Sequence, residues 1–276
     1  MARLTGITLL AIVIVVGMIA AINMQTIERA LTPQSAQQPA AKTTHMATSG
    51  KAQATAAAKP VPTMPTGTGQ PVATQGPQAM VLGKDTFQRA NQALWGAASD
   101  GQQWEGDANR LAVFSVAGAQ GQIAGVQGQG QQVYAALLGG VNENVDIVST
   151  ASVSLFDTNT NFGVVLRWRD ANNWYKAFID GTELVVLKRV KGVTTRLGAI
   201  RFPAQAGKLY TLHFRAIGAT LFASAWQAGN AGPGQWMLVV SDMSLVSGQG
   251  GVRVVVDNGA VMHLSSFLET AASSGV

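Results

Sequence analysis

The sequence contains no cysteine, which excludes disulfide bonds, a thiolate nucleophile, a lipid-modified cysteine and a cysteine zinc site. Charged residues make up only 12% of its 276 residues, and soluble domains usually carry about 25%. Histidine is also scarce, with three in the whole chain. Such a chain relies on Gln, Asn, Ser and Thr for its polar surface. Few of its residues are histidines that could act in catalysis.

The net charge of +5 is unevenly distributed along the chain. Residues 1–80 hold five basic residues and one acidic residue, whereas residues 81–276 hold 14 basic and 13 acidic residues. The second part is therefore nearly neutral and lacks the long-range positive field that gathers polyanions. We predict that nucleic acid is not a partner.

The run GITLLAIVIVVGMIAAI at residues 6–22 carries no charge. Extended to residues 4–24 and coiled as a helix, it spans about 31 Å, the thickness of a hydrocarbon core. This pattern predicts a transmembrane signal anchor within residues 1–30. Arg3 precedes the run and Glu28 and Arg29 nearly cancel after it, so the positive-inside tendency places the C-terminal domain outside the cytoplasm.

Two other interpretations of this run stay open. A cleaved signal peptide would release a secreted protein, but it needs a shorter apolar core and small residues before the cut. A cut after Ala21 has Ile19 at the −3 position. The stretch Gly6-Ile7-Thr8-Leu9-Leu10 is similar to the type IV pilin processing site, although Ala11 stands where that family has an acidic residue.

Residues 31–80 read as a disordered linker. Seven of the nine prolines lie here among Ala, Gln, Thr and Gly, and the segment has no aromatic residue. It cannot bury enough apolar surface to offset the entropy lost on ordering. About 50 flexible residues have an r.m.s. end-to-end distance of about 40 Å, so the segment would act as a spacer.

Residues 81–270 read as one all-β domain, followed by a tail at 271–276. Short apolar runs recur every 8–12 residues with Gly, Asn and Asp between them. Tyr210, Leu212 and Phe214 alternate with polar residues, as in a sheet with one face in the core. Around a dozen such antiparallel strands require a two-sheet sandwich to bury their apolar faces. The predicted strands are Leu111–Val116, Gln132–Leu138, Val145–Phe156, Phe162–Arg169, Trp174–Asp180, Glu183–Val190, Val193–Ile200, Tyr210–Ile217, Thr220–Trp226, Trp236–Val240, Val252–Val256 and Val261–Leu268.

Several motifs occur in a distinctive order along residues 84–269: DTFQR at 85–89, FGVVLRWRD at 162–170, NWY at 173–175 and YTL at 210–212. This order resembles the laminin-G-like modules of the concanavalin A-like lectin/glucanase superfamily. The resemblance implies an antiparallel jelly-roll sandwich. It implies no single function, because the superfamily holds enzymes, lectins and adhesion modules.

All six tryptophans lie in the β-rich part, where an exposed indole could pack against the C–H face of a sugar ring. Trp174 and Tyr175 are neighbours on one strand, so one ring faces inward, and the resemblance assigns Tyr175 to the core. Trp168 alternates in the same way with Arg167 and Arg169. We predict ligand-binding roles for Trp174, Trp168, Arg167 and Arg169. Burial in the core is the alternative for any one tryptophan.

The stretch Asp157-Thr158-Asn159-Thr160-Asn161 places side-chain oxygens at alternate positions, as calcium loops do. Asp157, Asn159 and Asn161 are therefore candidate calcium ligands, and no other cofactor is predicted. Phe162 stands at the glycine position of an EF-hand loop and Trp168 at its glutamate position. A simple turn between two strands is the alternative.

Catalytic motifs are incomplete. The stretch Glu105-Gly106-Asp107-Ala108-Asn109 resembles the glucanase pattern Glu-x-Asp-x-Glu, but Asn109 replaces the third acid, and a glycosidase needs a matched pair of carboxyl groups. No Gly-x-Ser-x-Gly elbow accompanies His213 or His263.

The most basic part of the domain runs from Lys188 to Arg201 without an intervening acid. It suits an anionic glycan or a phospholipid headgroup, or else the charged, solvated face of edge strands.

We therefore predict a membrane-anchored, surface-displayed, non-catalytic module that binds carbohydrate or another envelope component. The alternatives are a structural or protein-interaction scaffold and a glycosidase-type enzyme.

Overall fold

A computed structural model describes residues 79–156 and 159–273. The predicted anchor at 4–24, nearly all of the predicted linker and the end of the tail lie outside them. The described residues include no helix long and apolar enough to cross a membrane.

The described residues form sixteen β-strands in two sheets. The bounds are β1 Val81–Asp85, β2 Gln92–Ala93, β3 Glu105–Gly106, β4 Phe114–Ala117, β5 Gln120–Ala124, β6 Gln132–Asn142, β7 Val145–Val153, β8 Phe162–Asp170, β9 Asn173–Ile179, β10 Glu183–Val190, β11 Val193–Arg201, β12 Leu209–Ile217, β13 Thr220–Gln227, β14 Leu238–Ser241, β15 Gly248–Val256 and β16 Val261–Ala271.

The two sheets are antiparallel throughout. The nine-stranded sheet has the order β14-β13-β12-β7-β16-β5-β4-β2, with β1 also paired to β16. The seven-stranded sheet has the order β11-β10-β9-β8-β15-β6-β3. Buried apolar residues from both sheets pack into one core, which confirms the prediction of an all-β domain with two antiparallel sheets.

Period-two alternation explains this arrangement. Tyr210, Leu212 and Phe214 are buried, whereas His213 and Arg215, which alternate with the last two, are half-buried on the outer face. Each of the twelve predicted strands overlaps an observed one, but Val145–Phe156 ends early, at Val153. Four strands, β1, β2, β3 and β5, were not predicted. They are short, with few β-branched or aromatic residues, and pairing with neighbouring strands holds them in place.

The segment before β4 fills one part of the core with aromatic rings. Trp95 and Trp104 are fully buried and pack edge to face at 4.8 Å between centroids. Asp85, also fully buried, accepts a 2.7 Å hydrogen bond from Trp104 Nε1 and a bidentate pair from Arg89. The charge of Asp85 is thereby matched by Arg89. Trp95 and Trp104 are core residues, the alternative to a ligand-binding role for an indole.

Glu269 on β16 points into the core without a partner. Its side chain is fully buried, and neither carboxyl oxygen accepts a hydrogen bond. Gly250 and Gly139 on the opposite sheet leave room for it, because a Cβ on Gly250 would lie 2.5 Å from the carboxyl group and one on Gly139 2.9 Å. Burial raises the pKa of Glu269 to about 8, so the folded protein holds a proton there at neutral pH.

Because the pKa of Glu269 is raised in the folded state, we expect the free energy of unfolding to fall as the pH rises. Between the ordinary pKa of 4.5 and about 8, the folded state keeps a proton that the unfolded chain has released, so each pH unit costs about 1.4 kcal/mol. We expect Glu269→Gln to remove this slope in the free energy of unfolding, measured by urea denaturation of the full-length chain in detergent from pH 5 to pH 8. Glu105→Gln, at an exposed site, is the control and should keep the slope. An unchanged slope in Glu269→Gln contradicts the assignment.

Candidate functional site

A groove with aromatic and polar side chains lies on the outer face of the nine-stranded sheet. Its volume is about 330 Å³, within the range of small-ligand sites. Its floor is His213 on β12 and Ser224 on β13, which are direct cross-strand neighbours. Its walls are Trp226 on β13, Trp236 just before β14, and the connecting segment 232–235.

Two indoles give this groove its apolar surface. The Trp236 ring lies 4.4 Å from the imidazole of His213 and 5.4 Å from the ring of Phe222. The Trp226 ring meets the same imidazole edge to face at 6.4 Å. Both indoles are half-buried, and none of the described residues accepts a hydrogen bond from either indole N–H. The groove thus offers ring faces beside free donors.

The loop between β13 and β14 shapes the opening. Its Gly-Pro-Gly-Gln sequence, residues 232–235, passes close to Trp226, because a Cβ on Gly232 would lie 3.2 Å from that ring. Met237 N–H donates to Ser224 Oγ at 3.1 Å and fixes the end of the loop on β13. The side chain of Gln235 is exposed at the rim, where its amide can both donate and accept hydrogen bonds.

An ionic network lies beside the groove on the same outer face of the sheet. Asp146 on β7 is hydrogen-bonded to His213 Nε2 and to the guanidinium of Arg215. Burial opposes ionisation of Asp146, but these hydrogen bonds outweigh it and lower the pKa of Asp146. The Arg215 guanidinium also lies 5.3 Å from the centre of the Trp236 ring. The charges are balanced within the network, and their contacts hold the imidazole and the indole in place.

The groove lacks the arrangement of a serine hydrolase. Asp146 binds the imidazole of His213, but no hydrogen bond joins His213 to Ser224 in the described part of the chain, and Ser224 Oγ instead accepts the N–H of Met237. A nucleophile and its base normally lie within hydrogen-bond reach. The two acids at the glucanase-like stretch also have partners: Asp107 pairs with Arg110 and accepts Ala135 N–H, and Glu105 accepts a hydrogen bond from Gln249.

The predicted site residues lie on the other sheet or at its rim. Trp174 is only 4% exposed, so the expected exposure of its ring is wrong. It stacks on half-buried Trp168, with 6.5 Å between centroids and 7° between planes. Arg169 is exposed and donates to the carbonyl of Ser247. These residues are neighbours, but the groove does not include them.

Arg167 has a structural environment. It is 1% exposed, and its guanidinium donates to the carbonyl oxygens of Glu143, Leu245 and Gly218. These carbonyls belong to three different connections at one end of the sandwich. Arg167 lies at a bulge in β8 and has a φ of 52°. This backbone conformation turns its side chain inward. Its guanidinium is thus occupied by backbone carbonyls, and the ligand-binding role expected of Arg167 stays a prediction.

The structure describes two of the three candidate calcium ligands, Asn159 and Asn161. Asp157 lies outside the described residues. Asn161 Oδ1 accepts a 2.6 Å hydrogen bond from Lys176 Nζ, and Asn159 Nδ2 donates to Asp257. In the described ranges no three His, Asp or Glu side chains come together as a metal site would require. The calcium site stays a prediction.

Trp226 and Trp236 are two of the six indoles in the sequence, and no motif there singles them out. One signal for Trp226 is present in the sequence. Alternation places His213 on the outer face, and pairing of the next strand with it places Ser224 and Trp226 on the same face. The position of Trp236 depends on the path of the 228–237 loop, which no periodicity describes.

No family model and no curated protein matches this chain. Among solved structures it is similar to the carbohydrate-binding module CBM66 from Bacillus subtilis, with 15% identity, a TM-score of 0.43, and coverage of 69% of this chain and 97% of that one. Lectin II from Ulex europaeus has 8% identity, a TM-score of 0.46, and coverage of 67% and 98%. A xylan β-1,4-xylosidase from Bacillus halodurans C-125 has 14% identity and a TM-score of 0.48, over 72% of this chain and 41% of the enzyme. At such low identities the ligand has to be inferred from this chain's own side chains.

Arg167 yields a stability prediction. Arg167→Met removes four hydrogen bonds and leaves buried carbonyls unpaired, so we expect a loss of about 3 kcal/mol or more in the free energy of unfolding. Arg169→Met, two residues away and exposed, is the matched control and should cost less than about 0.5 kcal/mol. Urea denaturation of both variants measures the difference. Equal losses would show that the three carbonyl contacts do not anchor the loops.

Proposed function

We propose that the domain is a non-catalytic carbohydrate-binding module and that a sugar ring occupies the groove between Trp226 and Trp236. The observation that supports this most strongly is the pair of half-buried indoles around one cavity, with unused N–H donors and the amide of Gln235 beside them. A sugar has apolar C–H faces and a rim of hydroxyls, so it matches ring faces next to polar groups. An indole can bury 150–250 Å², enough to hold one ring.

The polar groups of the groove suit hydroxyl recognition more than charge recognition. Asp146 and Arg215 balance each other beside the cavity, so little net charge is directed into it. His213 presents an imidazole that is fixed through Nε2, and hydrogen bonding at one ring nitrogen orients the other. We infer that the ligand is an uncharged saccharide.

We infer further that the sandwich is of the laminin-G-like, concanavalin A-like type. The support is the order of motifs along residues 84–269 together with the two antiparallel sheets that those motifs form. FGVVLRWRD lies within β8, NWY within β9 and YTL within β12.

The groove predicts the effect of removing one indole. Trp236→Ala should weaken binding of the best neutral glycan on an array by at least about tenfold, a loss of about 1.4 kcal/mol, because it deletes a wall of the cavity. Trp236→Phe keeps an aromatic face and should lose less. Val239→Ala, on the adjacent strand β14 and outside the cavity, is the control. Calorimetry on the full-length chain in detergent gives the affinities.

Three results would count against the proposal. One is an array on which no glycan binds. Another is unchanged affinity in Trp236→Ala with the fold intact by circular dichroism. The third is release of new reducing ends from a bound polysaccharide, which would replace the non-catalytic assignment by an enzymatic one.

We also propose that residues 4–24 anchor the protein in a membrane with the domain outside the cytoplasm, on the strength of the uncharged run at 6–22 and Arg3 before it. The full-length chain should fractionate with membranes, and protease added to intact cells should cut the 31–80 segment. Deletion of residues 4–24 should move the protein to the soluble fraction. Soluble full-length chain with its N-terminus intact contradicts the anchor.

A further inference from the structure

The outer face of the seven-stranded sheet carries cations without anionic partners. Arg253 on β15, Lys176 on β9 and Arg189 on β10 all point to this face, where they surround a small apolar cluster containing Trp174 and Val165. None of the six ion pairs among the described residues involves these three cations. On the outer face of the nine-stranded sheet, in contrast, Arg215 pairs with Asp146.

Arg253 is the centre of this face. Its guanidinium carbon lies 4.9 Å from the centre of the Trp174 ring and 5.3 Å from that of Trp168. The two indoles are nearly parallel and hold the guanidinium by cation–π contact. In the part of the chain that the structure describes, no group accepts a hydrogen bond from the guanidinium of Arg253. A half-buried arginine is therefore held in place with its donors unused.

The surroundings make this position electropositive. Burial lowers the pKa of Arg253, and the charge of Arg189 lowers it further, while Asp107 offsets only part of this. Lys176 is 4% exposed and has one hydrogen-bond partner, the neutral amide of Asn161. Burial and the charge of Arg253 lower the pKa of Lys176. An anion beside Arg253 would relieve this unbalanced charge.

Gly163 makes room for the side chain of Lys176. A Cβ at position 163 would lie 2.3 Å from Cε of Lys176, so glycine is needed there for the lysine to pass over β8 and reach Asn161. The ammonium group of Lys176 is thereby held at Asn161, and the indoles of this face are left to Arg253.

We propose that Arg253, flanked by Trp168 and Trp174, binds the carboxylate of an acidic saccharide on the outer face of the seven-stranded sheet. A planar guanidinium matches a carboxylate with two parallel hydrogen bonds. The half-buried face of Trp168 lies next to it and can contact the ring that bears the carboxylate. The proposal goes beyond the neutral-saccharide groove, because it uses the other sheet and a charged ligand.

Polygalacturonate is the probe, because every residue of this polymer carries a carboxylate. We expect Arg253→Gln to weaken its binding to the full-length chain in detergent by at least tenfold, as measured by calorimetry at fixed salt. Arg201→Gln is the matched control, since it removes the same charge from an exposed position on the same sheet, and it should change the affinity less than twofold. Arg253→Lys keeps the charge but not the planar fork, and we expect an intermediate loss.

Four outcomes would overturn this proposal. Equal losses in Arg253→Gln and Arg201→Gln would indicate a diffuse charge effect, and full affinity in Arg253→Gln would show that this arginine is not used. The other two are binding of dextran sulfate but not of polygalacturonate, and binding of anionic lipid vesicles but of neither polymer. Circular dichroism checks that each variant is folded, and Trp168→Ala supplies a second test that keeps Arg253 and should still lose affinity. The neutral-glycan array reports on the groove alone, so failure of one site does not imply failure of the other.

Discussion

The apolar interior shared by the two sheets decides which side of each strand is free for function. Every second residue of the central strands enters that core, as Tyr210, Leu212 and Phe214 do on β12. Only the residues between them remain for recognition, and on β12 these include His213 and Arg215. Because neighbouring strands are in register, the outward residues of β7, β12 and β13 form one continuous surface. The groove is built on that surface and needs only one loop to close it.

The two outer faces differ in how they treat charge. On the nine-stranded sheet Asp146 pairs with Arg215 and is hydrogen-bonded to His213, and the result is a polar, charge-balanced surface beside two indoles. On the seven-stranded sheet Arg253 packs on two indoles and Lys176 donates to an amide, and neither forms an ion pair with a described carboxylate. A balanced face suits hydroxyl groups, whereas an unbalanced one gains from an incoming anion. The nearly neutral charge of the domain as a whole conceals this difference.

The sequence predicts most of the fold, because alternation and turn residues are local signals. It predicts less of the site. Trp174 and Tyr175 point to opposite faces, as expected, yet both are buried, because Trp168 and Arg253 cover the outer ring. Alternation gives the face of a residue but not what covers it. Arg167 shows a second limit: its bulge in β8 breaks the alternation and moves a charged side chain inward.

Two sites on opposite faces of one sandwich would give the module a property that neither site has alone. Two strands of polysaccharide could bind to the two sheets at once, because the core lies between them. If both sites engage one polymer that carries neutral and acidic sugars, the second contact becomes intramolecular and the overall affinity exceeds that of either site. A mixed neutral and acidic polysaccharide is therefore the ligand chemistry that makes the fullest use of this surface.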